Sequence, residues 1–190
     1  MQGTKGSARE RLLGAASRLF YADGMTATGI DAITAEAGVA KMSLYNNFAS
    51  KEDLVLAYID ARHEEWLELY RRRSGNAAGP MDGVMAVFDA YIDHASAAYL
   101  RGFRGCGLLN AAAELPVGSP GREAVRRHKE QVEAILAGHL TGIVPPPVAR
   151  NTAEHLTFLL EGAMSRAGLE GRPDRLERAR TIARGLVDSL

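Results

Sequence analysis

The chain has 190 residues, 46% of them apolar and 24% charged, enough for one ordinary domain or a small one joined to a larger one. Its 23 basic and 23 acidic side chains balance, so net charge points to no polyanionic partner, and the single cysteine, Cys106, excludes an intramolecular disulfide. No apolar run approaches the ~18 residues of a membrane span, and the start, MQGTKGSARE, lacks a signal-peptide core, so a soluble cytoplasmic protein is expected.

Apolar residues recur at helical spacing, and nothing sustains the two-residue alternation of a half-buried strand. An all-α fold is expected, with a small N-terminal three-helix unit and a larger helical body. Leu12, Ala16, Leu19 and Phe20 stripe the first helix, which Asp23-Gly24 ends. Thr28 is placed to cap the second helix, with Asp31 as its capping-box partner. Ile30, Ile33, Ala37 and Val39 face inward there, and Gly38 makes the turn. A third helix runs from about Ala40 to Phe48, and Leu44 and Phe48, four residues apart, share its inward face. Ser50-Lys51-Glu52-Asp53 reads as the capping box of a fourth helix, continuing through Leu54, Tyr58, Trp66 and Leu69 to about Arg73.

Ser74–Pro80 breaks the pattern and is a loop. A helix over Met81–Tyr99 follows, then a glycine-punctuated stretch through Arg101–Glu114 and a Pro/Gly loop at Leu115–Pro120. The next helix, Gly121–Leu140, is closed by Gly142 and Pro145-Pro146-Pro147. The last two are about Val148–Ala167 and Pro173–Leu190. The expected division is 1–50 for a helix-turn-helix unit (about 6–66 with the fourth helix) and 51–190 for the body.

The third helix carries the chemistry. Met42 and Asn46 lie opposite its anchored face, with Lys41, Ser43, Tyr45 and Asn47 on the flanks, and no acid stands between Gly38 and Ser50. A small exposed helix rich in hydrogen-bonding groups is what reading DNA in the major groove requires. Charge over the first 51 residues agrees weakly, with six bases (Lys5, Arg9, Arg11, Arg18, Lys41, Lys51) against four acids (Glu10, Asp23, Asp31, Glu36). Asn pairs bidentately with adenine, and Lys with guanine. Tyr45 is read as packing its ring inward while its hydroxyl meets a phosphate, and Met42 as filler or an apolar contact. Lys51 opposes the macrodipole of the fourth helix by ~0.3–1 kcal/mol; a phosphate held jointly by Lys51 and that helix end accounts for it. Thr28 is assigned a share in that role. The run Arg71-Arg72-Arg73 lies ~30 Å from Lys51 at ~1.5 Å per residue and complements the helix C-terminus, so it is rejected as a DNA contact. Lys5, Arg9 and Arg11 are better placed along the DNA backbone.

The segment GVAKMSLYNNFASKEDL, Gly38–Leu54, resembles the TetR (TetR/AcrR) family pattern. In that pattern a Gly-Val turn leads into a Leu-Tyr-x-x-Phe helix, followed by a Ser-Lys-Glu-x-Leu helix start. The likeness extends back through Ala37, Ile33 and Gly24, over roughly residues 7–60. It implies a homodimeric transcriptional regulator, a repressor more often than an activator, whose two recognition helices enter successive major grooves of a palindromic operator and are released by a small-molecule effector. By position, Lys41, Ser43, Tyr45 and Asn47 correspond to the family's DNA-facing residues. Asn47 stands where the family often has His, so the preferred operator does not transfer.

The resemblance also implies dimer contacts through about Val148–Ala167 and Pro173–Leu190. In the first, Ala153, Leu156, Leu159, Leu160, Ala163, Met164 and Ala167 read as one face; in the second, Leu176, Ala179, Ile182, Ala183, Leu186 and Leu190 do. Gly162, Ala163, Ser165 and Ala167 allow close approach. LLEGAMSRAGLEG and RGCGLLNAAAELP are similar to segments in a subset of these regulators, the second beginning a helix that borders the effector cavity. Candidates to line that cavity are Trp66, Phe88, Tyr91, Phe103, Cys106, Asn110, His128 and Phe158, with Asn110 and His128 ranked higher because an apolar cavity needs polar groups to orient a ligand.

Cys106 reads foremost as an inert buried hydrophobe. The sharper alternative is a thiol that senses electrophiles or oxidants, helped by Arg101 and Arg104. An enzyme finds no site: the five histidines (63, 94, 128, 139, 155) show no paired metal-ligand spacing, and there is no phosphate loop or nucleophile elbow. No cofactor or metal is expected. A helical protein-interaction adaptor is the remaining rival, and it leaves the acid-free helix and Lys51 unexplained.

Overall fold

Helix formation begins where Ser7 can cap it. Its hydroxyl accepts the N–H of Glu10, whose carboxylate accepts the N–H of Ser7 in return, and α1 then runs Ala8–Asp23. The computed structural model describes residues 6–97 and 99–190. Among them are eight further helices and no strand: α2 (Ile30–Ala37), α3 (Lys41–Tyr45), α4 (Lys51–Ser74), α5 (Pro80–Ala95), α6 (Gly107–Glu114), α7 (Pro120–Leu140), α8 (Pro146–Glu170) and α9 (Asp174–Asp188).

The chain forms two compact units, Met1–Arg62 with Tyr99–Arg101 and Gly107–Val125, and His63–Ala98 with Gly102–Cys106 and Arg126–Leu190. The division falls inside α4 and inside α7. In the first unit α1, α2 and α3 pack around Leu12, Ala16, Phe20, Ile33 and Leu44, all buried. Phe20 meets Tyr58 of α4 edge to face, with ring centroids 5.5 Å apart. Gly38 ends α2 in the left-handed conformation at φ 63°, as the Gly-Val turn requires.

In the second unit α5, α8 and α9 pack on one another. Val84, Phe88 and Tyr91 of α5, Leu156, Leu160 and Met164 of α8, and Leu176, Ala179 and Ala183 of α9 are all buried. Arg180 of α9 donates two hydrogen bonds to Asp89 of α5 at its edge. α7 ends at Leu140 as expected, and Pro146 and Pro147 open α8 ahead of the expected Val148, because a helix's first residues need no N–H partner.

The two long apolar faces expected at the C-terminus each resolve into two. On α8, Ala153, Leu156, Leu160, Met164 and Ala167 are buried, whereas Phe158 is 64% exposed with Leu159, Gly162 and Ala163 beside it. On α9, Leu176, Ala179, Ala183 and Val187 are buried, and Ile182 and Leu186 stay exposed, as does Leu190 beyond its end. A stripe at spacings of both three and four is wider than one neighbour can cover.

Gly105 and Gly168 let backbones touch. A Cβ on Gly168 would stand 2.7 Å from Gly105 Cα, a clash with main chain that no rotamer relieves. Gly168→Ala is expected to destabilise the fold by about 1–3 kcal/mol, seen as a lower thermal midpoint. Gly138→Ala, where nothing lies within 4 Å, is expected to leave the midpoint unchanged or raise it.

Candidate nucleic-acid interface

The α3 helix is held from below and open above. Leu44 is fully buried and Phe48 nearly so, while Met42 is 68% and Tyr45 49% exposed. Lys41 and Asn46 are exposed, and Ser43 and Asn47 half-buried. The helix is shorter than the expected 40–48 span. After Tyr45 the chain tightens into a turn in which the N–H groups of Asn47 and Phe48 both reach Leu44 O. Asn47 Nδ2 donates to Ser43 O at 2.7 Å, so one of its amide donors is already engaged.

The acid missing from this segment comes from its neighbour. Asp31 of α2 pairs with Lys41 at 2.8 Å, and its hydrogen bond and charge raise the Lys41 pKa. Both partners are exposed, which makes the pair weak and easily exchanged. At the start of α4, Ser50 Oγ accepts the N–H of Asp53, and backbone and Ser50 hydrogen bonds hold the Glu52 carboxyl below its ordinary range. Lys51 is half-buried beside these acids and makes no ion pair among the described residues.

Thr28 is placed differently from expectation. Gly29 occupies the α2 N-cap, and no side chain caps it. Thr28 is 4% exposed and its hydroxyl donates to Gly24 O at 2.6 Å, closing the α1–α2 turn from within. Its hydroxyl is therefore spent on main chain. Arg11 donates to Gly38 O at 3.3 Å, across the end of α2, and Arg9 lies over the Phe48 ring at 4.8 Å. Lys5 lies outside the described residues. Arg73 pairs with Asp93, and Arg71 and Arg72 lie near Glu68, in keeping with a solvated helix end.

Glu114, which the sequence reading passed over, ties α6 to the same turn. Its two oxygens accept the N–H groups of Met25 at 3.0 Å and Thr26 at 2.6 Å. Partial burial pushes its carboxyl up, but these N–H groups and the charge of Lys51 outweigh that and hold it below the usual range. Gly24, at φ +90°, makes room: a Cβ there would stand 2.9 Å from the carboxylate.

In the second unit Trp66, Phe88, Tyr91, Phe103, Cys106 and His128 are all buried. Phe158 lies on the exposed side of α8, and Asn110 is half-buried on α6 in the first unit. The gathered group is aromatic and polar at once. His128 Nδ1 lies 2.9 Å from His63 Nδ1, so one ring donates to the other, and Trp66 packs within 5.4 Å of both Tyr91 and His128. Lys129, also unforeseen, pairs with Glu161 at 2.6 Å and has its Nζ 3.6 Å from Cys106 Sγ. Burial alone would lower the Lys129 pKa; the acidic groups Cys106, Tyr91 and Glu161 raise it, and Glu161 is the one ordinarily ionised at neutral pH. Burial likewise pushes the Tyr91 hydroxyl up. Trp66 Nε1, Tyr91 Oη and Glu161 Oε2 are buried without a hydrogen-bond partner among the described residues. Arg101, expected near Cys106, pairs with Asp23 instead.

Residues 12–58 match the family described as bacterial regulatory proteins, tetR family. SCO4454, a TetR-family transcriptional regulator from Streptomyces coelicolor, is 34% identical with a TM-score of 0.86, over 96% of this chain and 95% of that one. The chain belongs to the TetR family. A TetR transcriptional regulator from Chloroflexus aurantiacus is 30% identical, with a TM-score of 0.82 over 95% of this chain and 94% of that one. The transcriptional activator FasR of Mycolicibacterium smegmatis is 38% identical over 96 residues, 48% of this chain and 43% of FasR. The chain thus matches under half the length of its curated relatives. TetR-family proteins are DNA-binding transcriptional regulators and not enzymes. No helix among the described residues is long and apolar enough to cross a membrane.

The buried His128 of this TetR-family chain, paired with the half-buried His63, sets a pH dependence. Burial, with the nearby Lys129, His63 and His94 charges, pushes His128 down to about 3. A group whose pKa is lowered by folding gives stability that is full above its unfolded value of about 6.5 and is lost as pH falls. The thermal midpoint is expected to drop between pH about 6.5 and 3, and His128→Asn to flatten that drop.

Proposed function

We propose that the chain is a ligand-responsive homodimeric repressor that binds a palindromic operator through its α3 segment, about Ala40–Phe48, and is released by a small-molecule effector. One observation carries the reading: a short helix anchored by Leu44 and Phe48 displays Lys41, Met42, Tyr45 and Asn46 to solvent, with Ser43 half-buried on its flank. Asn47 supports the turn behind them, and Lys51 at the first turn of α4 is the phosphate contact. Thr28 shapes this surface without touching DNA. Residues 1–50 with the first turns of α4 form the DNA-binding part, and 51–190 the effector and dimer part. FasR carries the name of an activator; repression is proposed here because effector release of a bound dimer needs no further partner.

The effector site is the buried cluster around Trp66, Phe88, Tyr91, Phe103, Cys106 and His128, where orphaned donors await a ligand's acceptor. Effector binding there would tilt α4 and change the spacing of the two recognition helices from about 34–36 Å. The ligand must favour one of the two arrangements for release to follow. Dimerisation uses the outer faces of α8 and α9. Phe158, Leu159, Gly162, Ala163, Ala179 and Ile182 line a shallow groove there of about 410 Å³, and Gly162 leaves open space for a partner helix. Cys106, 8% exposed, fits an inert core thiol better than a sensor.

Two measurements test this. Affinity for DNA taken from upstream of the chain's own gene is expected to fall steeply with salt, and Lys51→Gln to reduce the slope of log K against log salt by ~1 per protomer; an affinity indifferent to salt contradicts DNA binding. Wild-type protein is expected to show twice the chain mass by light scattering and Phe158→Asp the single mass. A monomeric wild type contradicts the dimer.

A further inference from the structure

The first unit holds a cleft of its own. Its volume is about 490 Å³, within the ~300–1,000 Å³ of small-molecule sites. Met25, Val55, Leu56, Leu115, Pro116 and Pro120 make its apolar walls. Its charged lining is Lys51, Glu52 and Glu114. Both oxygens of Glu114 are taken by the N–H groups of Met25 and Thr26, and Glu52 is held in the cap by backbone and Ser50 hydrogen bonds. The Lys51 charge acts on both carboxylates from a distance, but Lys51 makes no ion pair among the described residues, so its ammonium is the charged group of the cleft left open to a direct contact.

We propose that this cleft binds a small amphipathic monoanion, an apolar body bearing one carboxylate or sulfonate, whose charge sits on Lys51. The apolar walls take the body, for which burial away from water is the driving force. A polar head without charge would leave Lys51 unpaired at the cleft's edge, and a cation would meet two carboxylates already served by N–H donors. Because Lys51 is the phosphate contact proposed above, and the consequence rests on that reading, the anion and the operator phosphate compete for one ammonium group. Release from DNA then needs no movement of α4. It is a direct exclusion, separate from any effector held in the second unit.

The probe is 8-anilinonaphthalene-1-sulfonate, an apolar body with one sulfonate, titrated against the full chain by fluorescence without DNA. Saturable binding is expected, weakened at least tenfold by Lys51→Gln, abolished by Leu56→Trp, which fills the cleft, and kept by Lys51→Arg, which keeps the charge. Circular dichroism shows that each variant is folded. Unchanged affinity in both Lys51→Gln and Leu56→Trp, or loss in Tyr91→Trp in their place, overturns the site. In a second arm the dye is added to protein bound to labelled DNA: displacement in the dye's binding range supports the exclusion, and simultaneous occupancy overturns it. Should the chain bind no DNA at all, the repressor reading fails while the first arm still decides the cleft.

Discussion

A five-residue helix cannot hold itself together in water, since one turn costs more order than its few hydrogen bonds return. Everything this chain presents from α3 therefore depends on one constraint, the burial of Leu44 and Phe48 against α1 and α2. Leu44 is wholly inaccessible, and α3 touches both neighbouring helices. With its inner side fixed, the helix has no freedom in which residues face out. Met42, Tyr45 and Asn46 are exposed because Leu44 and Phe48 are not. The same burial carries Lys41 to within 2.8 Å of Asp31, so the surface is tuned by the preceding helix.

The supports of that surface come from outside the helix-turn-helix. Thr28, Gly24 and Glu114 together lock the connection between α1 and α2, with Glu114 arriving from α6, far along the chain. Such a clip makes the position of α2, and through it α3, depend on a residue 88 positions away. The second unit shows the opposite design. Its buried polar atoms are left incomplete at Trp66, Tyr91 and Glu161, which is costly in a closed core and reasonable in a site that a ligand completes.

The elements were legible where one periodicity and one stop signal agreed. Gly24 and Gly38 ended helices as read, and Leu44 and Phe48 faced inward as their four-residue spacing required. Thr28 misled because a threonine before a helix has two ways to spend its hydroxyl, and local sequence does not say whether the cap or the preceding carbonyls will win. Phe158 misled for a related reason. Its helix is apolar on two sides, and only packing shows which side a phenylalanine joins. Glu114, Lys129 and Glu161 were invisible because each matters through a partner distant in sequence, and no motif marks such a pairing. The histidines carried the same gap: His63 and His128 stand 65 positions apart and meet only in the fold.

The central claim is that the side chains displayed by α3 read base edges. Selection of preferred sequences from random duplex DNA by wild type and by Asn46→Lys tests it most directly. A changed preference at one position, repeated symmetrically in both half-sites, is the predicted result. The same selected sequence from both proteins, with affinity altered uniformly or not at all, contradicts it.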